Sequence, residues 1–206
     1  MAERLVLHEY SASGNCYKVR LTAALLGIPL ERREYDIMKG ETRTPEFLAA
    51  INANGRIPVL QAGDRFIPES NAACYYLAAD SRLVPDDRFD HADVLRWMFW
   101  EQYSHEPNVA TLRFWMHWVG LDKLTEAQRL QIPAKRAAGN AALRLMDDRL
   151  KGRDWLVGDS ISLADVCLFA YTHVADESDF DLTLYPEVIR WMEQIMTLPN
   201  YLPMDS

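Results

Sequence analysis

Cysteine is scarce in this chain, with three in 206 residues, and Cys16, Cys74 and Cys167 form neither a Cys-x-x-Cys pair nor a Cys/His spacing suited to zinc. A disulfide framework, a structural zinc site and a dithiol redox pair are therefore not expected. No stretch of about 18 apolar residues occurs without charges, which argues against a helical membrane span. Lys/Arg-rich blocks are also missing and the net charge is −8, so a nucleic-acid partner would find no basic face for its phosphates. No internal repeat or low-complexity tract is visible. Met1-Ala2-Glu3-Arg4 has neither the basic segment nor the apolar core of a secretory signal. These absences lead to the expectation of a cytoplasmic protein with no membrane, nucleic-acid or metal partner.

Apolar residues make up 49% and charged residues 25%, the composition of a folded globular chain. Its length suits one large domain or two small ones. The stretch around which the rest is arranged is Tyr10-Ser11-Ala12-Ser13-Gly14-Asn15-Cys16-Tyr17-Lys18-Val19-Arg20. It comes after a short apolar run at 5–10 that reads as a buried strand. Cys16, Val19, Ala23 and Leu26 then recur at helical spacing until Gly27 and Pro29 stop the helix. Ser13 or Asn15 thus lies at a helix N-terminus, where unpaired N–H groups and the helix dipole favour negative charge. A hydroxyl there could stabilise a thiolate.

Further along, residues 30–35 read as a second strand. Thr44 caps a helix with Pro45 at its first position, and Phe47, Leu48 and Ile51 give its apolar face. Residues 56–61 and 65–68 form a hairpin about Gly63-Asp64, and a helix over 72–79 comes next with Ser70 as its N-cap. The order is βαβαββα, which implies a mixed sheet with helices on its faces. Residues 81–88 read as a linker, and beyond them strand signals vanish. One helical pattern runs over 89–119 with a kink at Pro107 and an aromatic stripe from Trp97 to Trp118, read mainly as core. Others start at Thr125, at Ser162 in a capping box with Asp165, and at Pro186. The expected domains are 1–80, α/β, and 89–206, all-helical.

This arrangement resembles the cytosolic glutathione S-transferase superfamily, in particular its bacterial, serine/asparagine-type, theta- and nu-like members. Three local features carry the resemblance in the expected order. They are Ser13-Gly14-Asn15-Cys16 at the first strand–helix junction, Asn54-Gly55-Arg56-Ile57-Pro58-Val59-Leu60 with Glu69-Ser70 after it, and Gly158-Asp159 with Ser162-Leu163-Ala164-Asp165. The resemblance implies a thioredoxin-like N-terminal domain, an all-helical C-terminal domain and a homodimer. It implies glutathione as co-substrate, with no metal. Pro58 matches the family's cis-proline, which turns the backbone of Ile57 towards the cysteinyl part of glutathione. Ser70 and Glu69 match the pair that holds its γ-glutamyl end, Arg56 a basic residue for the glycyl carboxylate, and Thr42 a less defined glutathione contact. Ser162 and Asp165 are read as structural.

For activation of the thiol, Ser13 matches the family's serine or threonine and Asn15 an asparagine that assists or replaces it. Ser11 and Cys16 remain open as competitors. Cys16 stands at a helix start, where a thiol pKa can fall, whereas Cys74 and Cys167 read as small buried apolar residues. Tyr103, His105 and Arg113 are expected to wall a pocket for the acceptor. The implied activity is conjugation of the glutathione thiolate to an electrophilic small molecule, as in detoxification. A glutathione-dependent disulfide reductase or peroxidase and a non-catalytic binding module of the same fold remain as alternatives.

Overall fold

The structure, a computed structural model, describes residues 4–206. It divides into two compact units, one running to Val84 and including Leu198–Ser206, the other spanning Pro85–Thr197. The first contains β1 (Leu5–Glu9), α1 (Gly14–Leu26), β2 (Glu31–Glu34), α2 (Pro45–Ala50), β3 (Val59–Ala62), β4 (Arg65–Pro68) and α3 (Ser70–Ala78). The strands lie in the order β2-β1-β3-β4, with β1 parallel to β2 and antiparallel to β3, and β3 antiparallel to β4. This is the mixed sheet that the order of elements implied, with the thioredoxin-like arrangement that the resemblance implied.

Burial explains the strand order. Leu7 in β1 and Val59 and Leu60 in β3 have no exposed surface, and these strands are central. All four residues of β2, Glu31-Arg32-Arg33-Glu34, are charged and exposed, as suits an edge strand that must not pair with a neighbouring molecule. β3 begins at Val59, three residues later than the sequence suggested, because Pro58 has no N–H to contribute to a ladder. α1 ends at Gly27, whose left-handed backbone (φ +66°) lets the amides of Gly27 and Ile28 close on the carbonyls of Ala24 and Ala23. α1 and α3 pack against each other.

Residues 198–206 were expected with the helical part, but they fold onto the first unit. The Tyr17 hydroxyl donates to the Leu202 carbonyl at 2.7 Å, and Arg20 donates to those of Met204 and Ser206. Buried donors on α1 thus find acceptors in a segment that has no helical pattern of its own.

The second unit is helical: α4 (Arg88–Trp100), α5 (Glu106–Arg113), α6 (Glu126–Leu150), α7 (Leu163–Thr172) and α8 (Pro186–Met196). π-helical turns at Glu101–His105 and Phe114–Val119 join α4 to α5 and extend α5. The expected kink at Pro107 is replaced by the first of these turns, which leaves the proline in the opening turn of α5, where no N–H is needed. Each π turn rotates the outward face of the helical segment beyond it. The aromatic stripe does not all stay inside: Trp97 is buried, whereas Phe99, two residues on and on the opposite side of α4, is exposed, as are Tyr103 and Phe114. α6 passes so close to Phe180 that a Cβ on Gly139 would lie 2.5 Å from its ring. Among the described residues no helix is long and apolar enough to cross a membrane.

α7 is buried along its whole length, with Asp165 at its start. The Asp165 carboxylate accepts from the amides of Leu156 and Ser162, the Ser162 hydroxyl and the Trp191 indole, all at 2.9–3.0 Å. Burial pushes this carboxyl up from its ordinary value, and the four donors oppose that. Asp165→Ala would strand those donors, and a loss of roughly 3–5 kcal/mol is expected. Thermal unfolding should show it as a Tm lower by about 10 °C.

His8 and His173 are held below the ordinary imidazole value, chiefly by burial. A lowered folded pKa gives stability that is complete above the unfolded value, about 6.5, and lost as pH falls through the folded one. Tm should therefore decline as pH drops from about 6.5 to 5, and His8→Gln should flatten part of the decline.

Candidate functional site

The strand registers bring three separate segments to one end of the sheet. His8 opposite Val59 sets the chain leaving β1 beside the chain entering β3, and Val59 opposite Pro68 sets the exit of β4 beside both. Residues 10–16, 56–58 and 69–71 are thereby gathered, although they are far apart in sequence.

Ser13 caps α1 with an extended backbone (φ −81°, ψ 124°), and its hydroxyl oxygen accepts the Cys16 amide at 3.5 Å. That bond uses a lone pair and leaves the O–H proton to donate elsewhere. The Ser13 amide itself closes a turn on the Tyr10 carbonyl at 2.9 Å.

Ser70 is the first residue of α3 and not its cap; Glu69 holds the cap position. The Ser70 side chain turns to α1 and donates to the Asn15 side-chain oxygen at 3.0 Å, which is why it does not fold back onto its own helix. One residue on, Asn71 accepts from the Lys18 ammonium at 3.3 Å. The positive ends of α1 and α3 thus point at a common region. Glu69 is exposed, at φ +72° and ψ 116°, a backbone conformation that non-glycine residues rarely adopt and that concentrates at functional sites.

The Ile57–Pro58 peptide bond is cis; Pro58 is buried and Ile57 half-buried. Arg56 is exposed, with its carbonyl held by the Asn52 side-chain amide at 2.9 Å. Thr42 is buried in the 3₁₀ turn Glu41–Arg43.

Of the competing groups at the first junction, Ser11 is engaged elsewhere: its amide and hydroxyl both donate to Glu34, at 2.8 and 3.0 Å. Cys16 has no exposed surface, and burial pushes its thiol up to about 12 despite the Tyr10 amide 3.4 Å away and Ser13 beside it. The expectation that a helix start would lower its pKa fails because desolvation outweighs those donors.

The three residues expected around an acceptor engage separate surroundings. Tyr103 is 88% exposed. His105 is fully buried, with Nε2 3.1 Å from the Thr172 hydroxyl. Thr172 already donates to the Leu168 carbonyl, so His105 is the donor in that bond. Arg113 is buried and donates to Glu177 at 2.5 Å.

Two charged residues of α1 escaped the sequence reading. Lys18 and Arg20 have 0% and 2% exposure. The Arg20 Nε lies 3.1 Å from Glu9, which is itself fully buried at the end of β1 and also paired with Arg32. The available signal was two cations on a helix that is otherwise apolar around its circumference; buried charges are rare unless paired.

Comparison with known proteins identifies the family. The family model described as "Glutathione S-transferase, N-terminal domain" matches residues 5–79, and that described as "Glutathione S-transferase, C-terminal domain" matches 98–199. Glutathione S-transferase-like protein LUC7 from Fusarium sp is 30% identical over 198 residues, covering 90% of this chain and 85% of the relative. Disulfide-bond oxidoreductase YfcG from Escherichia coli (strain K12) is 25% identical over 198 residues, covering 92% and 89%. The crystal structure of a glutathione S-transferase from Pseudomonas fluorescens Pf-5 superposes with a TM-score of 0.93 at 41% identity, over 98% of this chain and 99% of that one. By sequence and by fold, the chain belongs to the glutathione S-transferase family.

Proposed function

We propose that the protein is a glutathione transferase in which Ser13 stabilises the glutathione thiolate. The observation that carries this reading is the convergence of two helix N-termini, joined by the Ser70–Asn15 hydrogen bond of 3.0 Å and edged by the Ser13 hydroxyl. Such a place suits a ligand with a carboxylate and an ionisable thiol. In this reading the backbone amides at the start of α3, that of Ser70 first, receive the γ-glutamyl carboxylate and Glu69 its ammonium. The Ile57 backbone aligns the cysteinyl part, Arg56 reaches the glycyl carboxylate, and Thr42 supports that end. Asn15 holds Ser70 and adds a polar group near the sulfur.

A free thiol has a pKa of about 8.5, so little thiolate exists at neutral pH. A hydrogen bond from Ser13 to the charged sulfur lowers that value. The proton leaves to solvent, the sulfur lone pair forms the new bond to an electrophilic carbon, and the leaving group departs with its electron pair. Of the three residues expected to wall an acceptor pocket, Tyr103 is the one open to a small molecule. A second reading, attack of the same thiolate on a disulfide, is favoured by the similarity to YfcG, a disulfide-bond oxidoreductase. It needs no cysteine of the protein: the thiolate forms a mixed disulfide and releases the other thiolate.

Calorimetry with glutathione, and then a pH scan of thiolate ultraviolet absorbance, tests this. Binding is expected, with the bound thiol pKa lowered by about 1–2 units. Ser13→Ala should return it towards the free value and cut turnover about 100-fold. Binding with an unshifted thiol would leave a binding module, and absence of binding would overturn the reading.

Cys16 offers a separate check. At about pH 8 the native protein should resist alkylation of Cys16 by iodoacetamide, while the unfolded chain, with a thiol near 8.5, should react. Mass spectrometry of digests reads both, and Cys16→Ala should leave turnover unchanged.

A further inference from the structure

The loop that presents Ser13 is held at Ser11 from two sides. Glu34 of β2 takes the Ser11 amide and hydroxyl, and the Arg20 Nη2 donates to the Ser11 carbonyl at 2.7 Å. The same guanidinium pairs with Glu9 at 3.1 Å, and donates to the carbonyls of Met204 at 2.9 Å and Ser206 at 3.1 Å. Arg32 donates to the Ser206 carbonyl at 2.8 Å as well. One buried side chain therefore ties the last residue of β1, the loop, the body of α1 and the end of the chain. The planar fork of an arginine can bridge several acceptors in this way; a lysine cannot.

From this connection we infer that Arg20 and residues 204–206 are positioning elements for Ser13, a role that rests on the thiolate function proposed above. Glu9 keeps the guanidinium buried, and the two tail carbonyls fix its rotation. That rotation decides where the Ser11 carbonyl sits, two residues before the hydroxyl, and small displacements of an activating group cost rate steeply. Released from the tail, the guanidinium would keep its charge partner and lose its orientation. The loop would then drift from the N-terminus of α1.

Two variants test this, a chain ending at Pro203 and Arg20→Lys. The lysine keeps a cation beside Glu9, and the shortened chain leaves that pair untouched should the substitution fail to fold. Amide hydrogen exchange at Ser13 and Cys16 is expected to be about tenfold faster in both, with exchange in α3 unchanged. The pKa of bound glutathione should rise by about one unit towards its free value, about 8.5. Turnover at neutral pH should fall about tenfold with KM within about twofold, and recover as pH rises. Unchanged exchange in the loop would overturn the inference. Where the whole chain lowers the thiol pKa, so would faster exchange with that pKa and the pH profile unmoved, since the tail would then only stabilise the fold. If the whole chain failed to lower the thiol pKa, the Ser13 reading would fall by itself. Exchange in the loop would still decide the positioning role: acceleration supports it and its absence overturns it.

Discussion

The first unit depends on one buried charge and the cation that answers it. Glu9 has no exposed surface, and an unpaired carboxylate there would be untenable. Arg20, from the body of α1, answers it directly at 3.1 Å, with Arg32 of β2 on its other oxygen. This pairing fixes where α1 stands against β1, and hence where the helix starts. The adjoining loop can be irregular because its amide and carbonyl are both held, by Glu34 and Arg20.

At the N-terminus of α1, polarity and burial act in opposite directions on neighbouring side chains. Ser13 is half-buried and keeps a donor available, while Cys16, three residues on, faces inward and is pushed up to about 12. Both stand in the same helix field. Access to water separates them, because the field of a helix end is worth about 0.3–1 kcal/mol in exposed geometry, less than full desolvation of a thiolate costs.

The second unit obeys the same logic with another carboxylate. Asp165 draws the Ser162 cap, the amide of Leu156 and the indole of Trp191 to one point at the start of the fully buried α7. The long helical run through α4 and α5 behaves less regularly. Two π turns interrupt it, while Phe99 and Tyr103 emerge on the side opposite Val94, Trp97 and Met98, where the 3.6-residue period of α4 already points them.

Read by itself, the sequence determined the order of elements, a start of α1 at Ser13 or Asn15, the capping of α2 by Thr44 and of α7 by Ser162, and the stop at Gly27. Each of these depends on residues within a few positions of one another, and local hydrogen bonding and helical periodicity suffice. The candidate residues at the first junction were legible for the same reason. Only the tertiary structure shows how each of them is engaged. It sends Ser11 to Glu34, buries Cys16, and turns Ser70 from a cap into the partner of Asn15. It also places residues 198–206 on α1 and reveals the work of Glu9 and Arg20. These outcomes join groups up to 186 positions apart, as between Arg20 and Ser206. The energy of a buried charge depends on what is packed around it, which no spacing along the chain records.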